Sequence, residues 1–410
     1  MKLSFNDMLY AFSYALDCVE HEMLGVTTHH GKRVAYLCIL MGKYLNLPET
    51  QLIDLGACAV LHDNALTEYI QAEYIKGINI YEEKQYFNKG AHCMMGERNM
   101  KKLPLCKEAQ NAILYHHENA DGSGPFGKTA DETPLFAQLI HMADQIDANW
   151  DLSLINKRKY EKLMDFIAEN KSILFSEKCV DTFFGAISYK EVVNLKDEQI
   201  EGLLGRSIKN TERDYSEKEI KDFAEIFGNI IDYKSKFTRK HSLGIAEKAA
   251  YMAKYYGYDD MAVAKMFFTG AVHDIGKLVV DKDILEKPDK LTEQEYKHIQ
   301  NHAYYTYDIL RKVKGFEDIT KWAAHHHEKL NGKGYPFGKT ADELGFNERL
   351  MACLDIYQAL TEERPYKKGF PHDKSMQILR NMAKDGSLDG SIVEDIGKVY
   401  GNCLIKKFLK

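Results

Sequence analysis

A histidine-aspartate pair followed closely by a lysine is the part of this sequence with the clearest chemical potential: His273, Asp274 and Lys277. An imidazole nitrogen beside a carboxylate oxygen suits a divalent metal ion that takes nitrogen and oxygen ligands together. The lysine comes three residues after the aspartate, so on a helix it can face the same cleft and contact a phosphate. A His-Asp pair is also common at a helix end, so the pair alone does not establish a site.

Other ligand-type residues stand at regular distances from that pair. His241 lies 32 residues before His273, and His302 lies 29 residues after it. The double histidine His326-His327 and then Asp355 follow at intervals of 24 and 28 residues. Seven ligand-type side chains are thus spread over about 115 residues, which predicts that helices bring them together.

The first half of the chain repeats this series at an offset of 210 or 211 residues. Residues 125–132 also match residues 336–343 one for one, in the order Pro-Phe-Gly-Lys-Thr-Ala-Asp-Glu. Seven positions in register in two halves exclude a chance scatter of histidines and indicate an internal repeat. The seven residues of the first half are His30, His62, Asp63, His92, His116, His117 and Asp144.

Composition narrows the class of protein. A chain of 410 residues is long enough for two or three domains. The net charge of −6 provides no overall basic field, so a nucleic acid polymer is not expected as a partner. No apolar run approaches the roughly 20 residues of a membrane span, and residues 1–10 lack a signal-peptide pattern. Eight scattered cysteines without a Cys-x-x-Cys pair suggest neither a disulfide framework nor a thiolate zinc site. We expect these thiols to be reduced and the protein to be cytoplasmic.

The elements that position these residues are predicted to be helices. The chain has only 8 prolines, long stretches rich in Ala, Leu, Glu and Lys, and few alternating apolar and polar runs. Ser216 and Glu219 form a capping-box pattern ahead of apolar residues at helical spacing, and Ser4 heads the corresponding helix of the first half. The repeat predicts a first domain over residues 1–190, a charged and partly helical linker over 191–214, and a second domain over 215–410.

The second half combines motifs that are specific when taken together. They are His273-Asp274-Ile275-Gly276-Lys277, Asn301-His302, His326-His327-Glu328, Asn331-Gly332-Lys333-Gly334-Tyr335-Pro336, Asp355 and Arg364-Pro365-Tyr366-Lys367. Over roughly residues 216–400 this combination resembles the HD-GYP domain, a branch of the HD superfamily of helical metal-dependent phosphohydrolases. The first half resembles the same family with degenerate motifs. The resemblance implies an all-α fold of two tandem HD-type helical bundles, and hydrolysis of cyclic dinucleotides, chiefly cyclic di-GMP, at a centre of two or three iron or manganese ions.

The resemblance also implies roles for individual residues. Asp274 would bridge two metals and, with Lys277, take part in catalysis. His241, His273 and Asp355 would complete one metal site, and His302, His326 and His327 the other. Histidine and aspartate without cysteine favour iron or manganese over structural zinc. Substrate binding is expected from Lys277, Tyr335, Pro336, Arg364 and Lys367.

Five positions qualify this assignment. His325 precedes the double histidine, so the ligand pair could be shifted by one; Glu328, which matches Glu118, favours His326-His327. Some family members hold a third metal with a Glu where this chain has Phe237, and Val26 in the first half, so we expect a binuclear centre. Asn331 and Gln358 replace aspartates that are common in the family, which puts hydrogen bonding around the ligands in doubt.

The first half keeps the metal-type positions and loses the substrate-type positions. Leu66 stands where the second half has Lys277, and no Arg-Pro-Tyr follows Asp144. Each half has a Gly-rich turn, Gly332-Lys333-Gly334-Tyr335-Pro336 in the second and Gly122-Ser123-Gly124-Pro125 in the first, and the turn of the first half lacks the tyrosine. We therefore expect this half to bind metal without hydrolysing cyclic dinucleotides. Three roles remain open, in this order: a structural partner for the second half, a sensor of a ligand or of redox state, and hydrolysis of another compound.

Several functions compete for the whole chain. The leading hypothesis is a cyclic di-GMP phosphodiesterase, with a mixed cyclic GMP-AMP dinucleotide as the second substrate. Another nucleotide hydrolase of the HD type and a diiron oxygenase are further possibilities among enzymes. A signalling module that binds without hydrolysis, acting on a partner protein or as a homodimer, is the rival from another class.

Overall fold

The computed structural model describes residues 1–24, 27–78, 88–208, 212–233, 241–285, 287, 289–363 and 368–401. Over these residues the chain is helical except for loops, short 3₁₀ helices and one two-stranded sheet. The all-α fold class expected from the sequence is therefore confirmed. None of the described helices has the length and apolar character needed to cross a membrane.

The chain divides into two compact units. The first unit consists of residues 4–212, and the second consists of residues 213–410 together with residues 1–3. In the second unit, the N-terminal amino group donates to the carbonyl of Tyr215 at 2.6 Å, beside the pairing of β1 (Lys2–Ser4) with β2 (Glu212–Asp214). No pattern in the sequence predicts that the first three residues belong with the second half.

The first unit contains ten helices among its described residues. They are α1 (Phe5–Leu24), α2 (His30–Tyr44), α3 (Glu49–Val60), α4 (Leu66–Ile75), α5 (Lys89–Met100), α6 (Leu135–Trp150), α7 (Lys157–Glu169), α8 (Glu177–Ala186), α9 (Tyr189–Val193) and α10 (Asp197–Ser207). Helix α2 is central, since it packs against α3, α6, α8 and α10. The segment expected to be a linker thus includes α10, whose residues Asp197 and Glu201 accept from Arg33 and Lys32 of α2.

The second unit contains nine helices among its described residues. They are α11 (Glu217–Tyr233), α12 (His241–Tyr255), α13 (Asp260–Val272), α14 (Lys282–Leu285), α15 (Glu293–Leu310), α16 (Glu317–Ala324), α17 (Phe346–Thr361), α18 (His372–Lys384) and α19 (Gly390–Gly401). Helices α12 and α13 pack closely together, and α17 packs against α12, α16 and α18. A core of buried aliphatic side chains joins α12, α13, α17, α18 and α19, among them Ile245, Met266, Leu350, Leu379 and Ile396.

Helix starts follow the capping patterns in the sequence. The side chains of Ser216 and Glu219 exchange hydrogen bonds with each other's backbone N–H at 2.8 and 3.3 Å, and α11 begins at the next residue. Ser4 accepts from the backbone of Asp7 at 3.1 Å just before α1. Such caps satisfy N–H groups that lack a partner in the first turn of a helix. Both expected helix starts are confirmed.

The two units share a helix order but differ beside the His-Asp pair. In the second unit a short 3₁₀ helix (Ile275–Val279) follows the pair and carries Lys277. In the first unit α4 begins at the corresponding position with Leu66, which is buried in a cluster with Tyr69 and Ile70. The lysine of one unit is thus replaced by a core residue in the other.

Candidate metal centres

Seven side chains of the second unit converge on one buried cluster. His241 is the first residue of α12, and the His273-Asp274 pair follows the last residue of α13. The other four come from α15, from the turn after α16 and from α17, and they are His302, His326, His327 and Asp355. All are buried except His327, whose side chain is 24% exposed.

Asp274 lies between two sets of histidines, with one carboxylate oxygen toward each. Its Oδ2 is 3.2 Å from Nε2 of His273 and 3.8 Å from Nε2 of His241. Its Oδ1 is 3.3 Å from Nε2 of His302 and 3.8 Å from Nε2 of His326. Asp355 stands on the His241 side, with Oδ1 3.5 Å from that imidazole. This is the placement that a bridging carboxylate requires.

Backbone carbonyls fix the direction in which three of the imidazoles point. His273, His302 and His326 each donate Nδ1–H to the carbonyl of the residue three positions earlier, at 2.6 to 2.7 Å. Because a carbonyl only accepts, the donation selects the tautomer with its proton on Nδ1. The Nε2 lone pair then faces the cluster, as a metal ligand must.

A carboxylate outside the predicted ligand set orients His241. Nδ1 of His241 donates to Oε2 of Glu362 at 3.0 Å. In the first unit, Asp147 accepts from Nδ1 of the corresponding His30 at 2.7 Å. Gln358 occupies the repeat position of Asp147, and Glu362 lies one helical turn later. The hydrogen bond that Gln358 put in doubt is therefore supplied from the next turn.

The donor atoms fit a pair of metal ions. Ligands bound at about 2.1 Å to one ion lie about 3.0–3.5 Å apart, close to the separations seen here. His241, His273 and Asp355 form one group, and His302, His326 and His327 form another, with every donor atom within 4.8 Å of the others in its group. Nε2 of His273 and Oδ1 of Asp274 are buried and have no hydrogen-bond partner among the described residues. Buried polar atoms in that state are what a metal would satisfy.

The protonation states suit metal binding with one exception. Burial raises the pKa of Asp274, but the charges of Lys277 and His273 outweigh burial and hold that pKa well below its usual range. Burial lowers the pKa of His327 to about 3. For His241 burial acts in the same direction, but hydrogen bonds to Asp355 and Glu362 outweigh it and raise the pKa to about 9. A metal that binds His241 at neutral pH therefore displaces a proton.

The expected substrate residues fall into two groups. Lys277 donates from Nζ to Oδ2 of Asp274 at 2.5 Å, and its side chain is 24% exposed. The Tyr335 ring lies 4.7 Å from the His327 ring, centroid to centroid, and leads through a cis peptide bond into Pro336. Lys277, Tyr335 and Pro336 therefore lie beside the cluster. Arg364 and Lys367 lie outside the described residues, as do Phe237 and Val26.

The Gly-rich turn is held by a glutamate that follows the double histidine. Glu328 accepts from the backbone N–H of Phe337 at 2.7 Å and of Lys339 at 2.9 Å. Glu118 makes the same pair of bonds in the first unit. His325 points elsewhere, since its Nδ1 bonds to Glu348 at 2.6 Å. This geometry favours His326-His327 over a ligand pair shifted by one.

The first unit repeats the cluster in detail. Oδ1 of Asp63 lies 3.1 Å from Nε2 of His92 and 3.6 Å from Nε2 of His116. Oδ2 of Asp63 lies 3.8 Å from Nε2 of His62, and Asp144 lies 3.2 Å from Nε2 of His30. His117 lies 3.9 Å from Asp144 on the remaining side. Nε2 of His116 and Oδ1 of Asp63 are buried without a hydrogen-bond partner among the described residues.

Two side chains make the first cluster chemically different from the second. Cys93, which has Ala303 as its counterpart, places Sγ 3.7 Å from Nε2 of His92 and 3.6 Å from Nδ1 of His116. Burial raises the pKa of this thiol. No spacing among the ligand-type residues predicts a sulfur beside these histidines, although the position of Cys93 next to His92 is a signal. His141, whose counterpart is Ala352, packs behind the cluster and donates Nδ1–H to the carbonyl of His116 at 3.0 Å.

Comparisons with known proteins agree with this geometry. The family model of the HD domain matches residues 21–170 and again residues 225–392. The chain is 29% identical over 405 residues to 3'3'-cGAMP-specific phosphodiesterase 1 of Vibrio cholerae, covering 96% of this chain and 91% of that protein. It is 34% identical over 170 residues to a cyclic di-GMP phosphodiesterase of Pseudomonas aeruginosa, covering 40% of each.

A solved structure shares the fold over nearly the full length. It is the crystal structure of a cyclic GMP-AMP-specific phosphodiesterase of Vibrio cholerae, with a TM-score of 0.65, 21% sequence identity and 98% coverage of both chains. The family model matches once in each half of the chain, and its two matches fall on the two histidine clusters. The chain therefore belongs to the HD domain family and carries two copies of that domain in tandem.

Proposed function

We propose that the second unit hydrolyses cyclic dinucleotides at a two-metal centre. The observation that carries the proposal is the placement of Asp274 between two groups of ligands, with the Lys277 ammonium and the Tyr335 ring at its margin. The names of the relatives support the same class of substrate. Iron or manganese is the proposed metal, because nitrogen and carboxylate donors without thiolate suit both.

The residues of the second unit divide the work of the reaction. Two ions held by the cluster would supply a strong nucleophile at neutral pH and neutralise charge on the phosphoryl group. Asp274 stays ionised, since its pKa is held low, and keeps both ligand groups at a fixed separation. Lys277 can turn from Asp274 to a phosphoryl oxygen or to the leaving 3′ oxygen, where its positive charge stabilises the transition state. Tyr335 and Pro336 would form a wall that orients the nucleotide.

Two substrates are proposed, and a direct comparison distinguishes them. Cyclic di-GMP is the substrate implied by the resemblance of the second half to the HD-GYP domain. Cyclic GMP-AMP is favoured by one specific observation: the relative that shares more than nine-tenths of its length with this chain is named for that compound. Parallel assays with the two dinucleotides at equal concentration identify the preferred substrate by its larger kcat/KM.

The test uses the purified full-length chain under reducing conditions with Mn²⁺ or Fe²⁺. Linear dinucleotide or mononucleotide product is expected from wild type, and Asp274→Ala should abolish it. Asp63→Ala is the matched control, since it removes the equivalent carboxylate of the first unit and should leave most of the turnover. No product from metal-loaded wild type would instead support a module that binds without hydrolysis, which equilibrium binding of the same dinucleotides would reveal.

For the first unit we propose metal binding without cyclic dinucleotide hydrolysis. The ligand geometry of the two clusters is alike, whereas Leu66 is a buried core residue and cannot replace Lys277 at the phosphate. A homodimer, a signalling partner and a cytoplasmic location remain predictions from the sequence.

A further inference from the structure

A cavity of about 620 Å³ adjoins the metal cluster of the first unit, and His117 of that cluster is one of its lining residues. Its volume is in the range of pockets that hold small organic ligands. Residues of the Gly-rich turn and of the start of α5 line the cavity. Six of its lining residues carry polar side chains that can contact a ligand: Lys89, His117, Asn119, Ser123, His141 and Gln145.

The lining favours an anion. The described lining residues include the ammonium of Lys89 and no carboxylate. Lys89 is also the first residue of α5, a helix of twelve residues whose N-cap, Asn88, accepts from Ala91 at 3.1 Å. The start of a helix carries partial positive charge and is a common place for phosphate groups. Both features act at the same end of the cavity.

His141 provides an independent sign of a ligand. It is only 4% exposed, it lines the cavity, and its Nε2 has no hydrogen-bond partner among the described residues. Because Nδ1–H is donated to the carbonyl of His116, the neutral ring offers Nε2 as an acceptor. A buried acceptor without a partner is costly, and a ligand O–H would satisfy it.

These polar residues are not remnants of the dinucleotide site. In register with Lys89, His141 and Gln145, the second half has Ile299, Ala352 and Ile356. The two halves agree at all seven positions of the metal clusters and differ at these three. The first unit therefore has pocket chemistry of its own, which a purely structural role for this domain would not require.

We propose that the first unit binds a small phosphate monoester that carries a hydroxyl group. The phosphate contacts Lys89 and the start of α5, and a hydroxyl hydrogen is donated to Nε2 of His141. Hydrogen phosphate has the same two features on one small ion, so the test includes it. This site is distinct from the reaction proposed for the second unit, and failure of either leaves the other standing.

The experiment measures binding to the full-length chain carrying Lys277→Ala, which weakens phosphate binding in the second unit. Inorganic phosphate, glucose 6-phosphate and 5′-GMP are titrated by calorimetry into this protein as purified. Lys89→Ala is added as the main variant, because Lys89 is exposed and its loss should not affect folding. Lys128→Ala is the matched control, a partly exposed lysine of the same unit paired with Glu132 and outside the cavity lining.

We expect at least one ester to bind, and Lys89→Ala to weaken its binding roughly tenfold or more, as for a charged hydrogen bond. Lys128→Ala should leave the affinity for the ester unchanged, and His141→Leu should weaken binding of the esters. Binding of inorganic phosphate alone, with the same dependence on Lys89, would identify the ion as the source of the phosphate group. Absence of binding by all three probes, or binding that survives both Lys89→Ala and His141→Leu, would overturn the proposal. The same variants are also made without Lys277→Ala, and their turnover of cyclic dinucleotide is measured in a separate assay. That assay reports on the reaction proposed for the second unit.

Discussion

Single carboxylates outside the ligand set decide how the first histidine of each cluster is held. His241 is fixed by Glu362 in the second unit, and His30 is fixed by Asp147 in the first. Asp147 belongs to α6, and Glu362 directly follows α17. Each acceptor therefore lies within two helical turns of the ligand aspartate of its unit. A hydrogen bond to the second ring nitrogen makes the first a better ligand and fixes its direction.

Loss of Glu362 should therefore weaken the metal centre without removing a ligand. For Glu362→Gln we expect metal affinity or turnover to fall roughly 10- to 100-fold, as is typical when such a partner is removed. Metal content after dialysis against a weak chelator and kcat at saturating metal measure the two effects. Glu363→Gln, a change at the exposed neighbouring residue, should match wild type. A Glu362→Gln protein with normal metal affinity and turnover would show that His241 does not depend on this carboxylate.

Helices deliver the ligands, and their ends are fixed by a few close contacts. Asp232 at the end of α11 accepts from the backbone N–H of Ser242 at 2.8 Å, so it holds the start of α12, where His241 stands. Asp17 does the same for α2 through Gly31 at 2.9 Å. An acidic side chain at a helix start accepts hydrogen bonds from free N–H groups, and its negative charge interacts favourably with the positive end of the helix dipole.

Asp232 gives a pH dependence whose sign can be worked out. Burial raises its pKa from 3.8 to about 6, against hydrogen bonds from Ser242 that lower it. Between about pH 4 and pH 6 the folded chain therefore binds more protons at this group than the unfolded chain. Its contribution to the free energy of unfolding is fully present below pH 4 and is lost as the pH rises through 6, by on the order of 2–3 kcal/mol.

The comparison with Asp232→Asn isolates this contribution from that of other carboxyl groups. Urea denaturation at several pH values should show wild type losing stability relative to the variant between pH 4 and pH 7. Glu217→Gln, at an exposed position at the start of the same helix, should run parallel to wild type. A constant difference between wild type and Asp232→Asn across this range would contradict the shifted pKa.

Gly276 sets the approach of the 3₁₀ helix to α15. A Cβ atom there would collide with the carbonyl of His302 and the backbone nitrogen of Thr306. Gly276→Ala should destabilise the second unit by about 1–3 kcal/mol or more, as overpacking does, and lower its metal content by displacing His302. Gly205→Ala in α10 is the control, because nothing lies within 4 Å of its added Cβ. Thermal unfolding and metal analysis of the two variants test this; equal stability would show that the contact can relax freely.

At the scale of the whole molecule, the two copies of the domain share the metal-type residues and differ in the residues that would contact a bound ligand. Both units bring six imidazoles or carboxylates around a central aspartate, Asp63 or Asp274. Lys277 lies beside that aspartate in the second unit, whereas Leu66 stands at its repeat position in the first. The cavity of the first unit is lined by His117, which both units share, and by Lys89, His141 and Gln145, which have apolar counterparts in the second unit. Metal binding and ligand handling are thus separable in the two copies.

Metal content per chain tests whether both centres are loaded. We expect about four ions in wild type, two per centre, because the donor atoms of the two clusters have the same arrangement. Asp63→Ala and Asp274→Ala should each lose about two ions, as measured by elemental analysis of anaerobically purified protein. If Asp63→Ala and wild type contain equal amounts of metal, the first cluster does not hold ions.

The sequence by itself predicted the family and the all-helical fold, and it predicted seven ligand-type residues in each half. It could do so because a series of His and Asp residues repeated in register is compatible with few other arrangements. The domain boundaries were harder to predict from the sequence. The charged residues 191–207 resemble a linker in sequence, but α10 packs on α2 in the structure, and residues 1–3 belong to the second unit.

Only the tertiary structure decided which residues support the ligands. Glu362 and His141 are remote in sequence from the histidines they bond to, and Cys93 is remote from His116 although it is next to His92. No spacing rule indicates which ring nitrogen these side chains face. The same holds for the cavity of the first unit, whose lining comes from α5, the Gly-rich turn, α6 and residue 174. The metal-ligating residues can be predicted from residue type and spacing along the chain. Their hydrogen-bond partners and the cavities depend on how the helices pack, which local sequence does not specify.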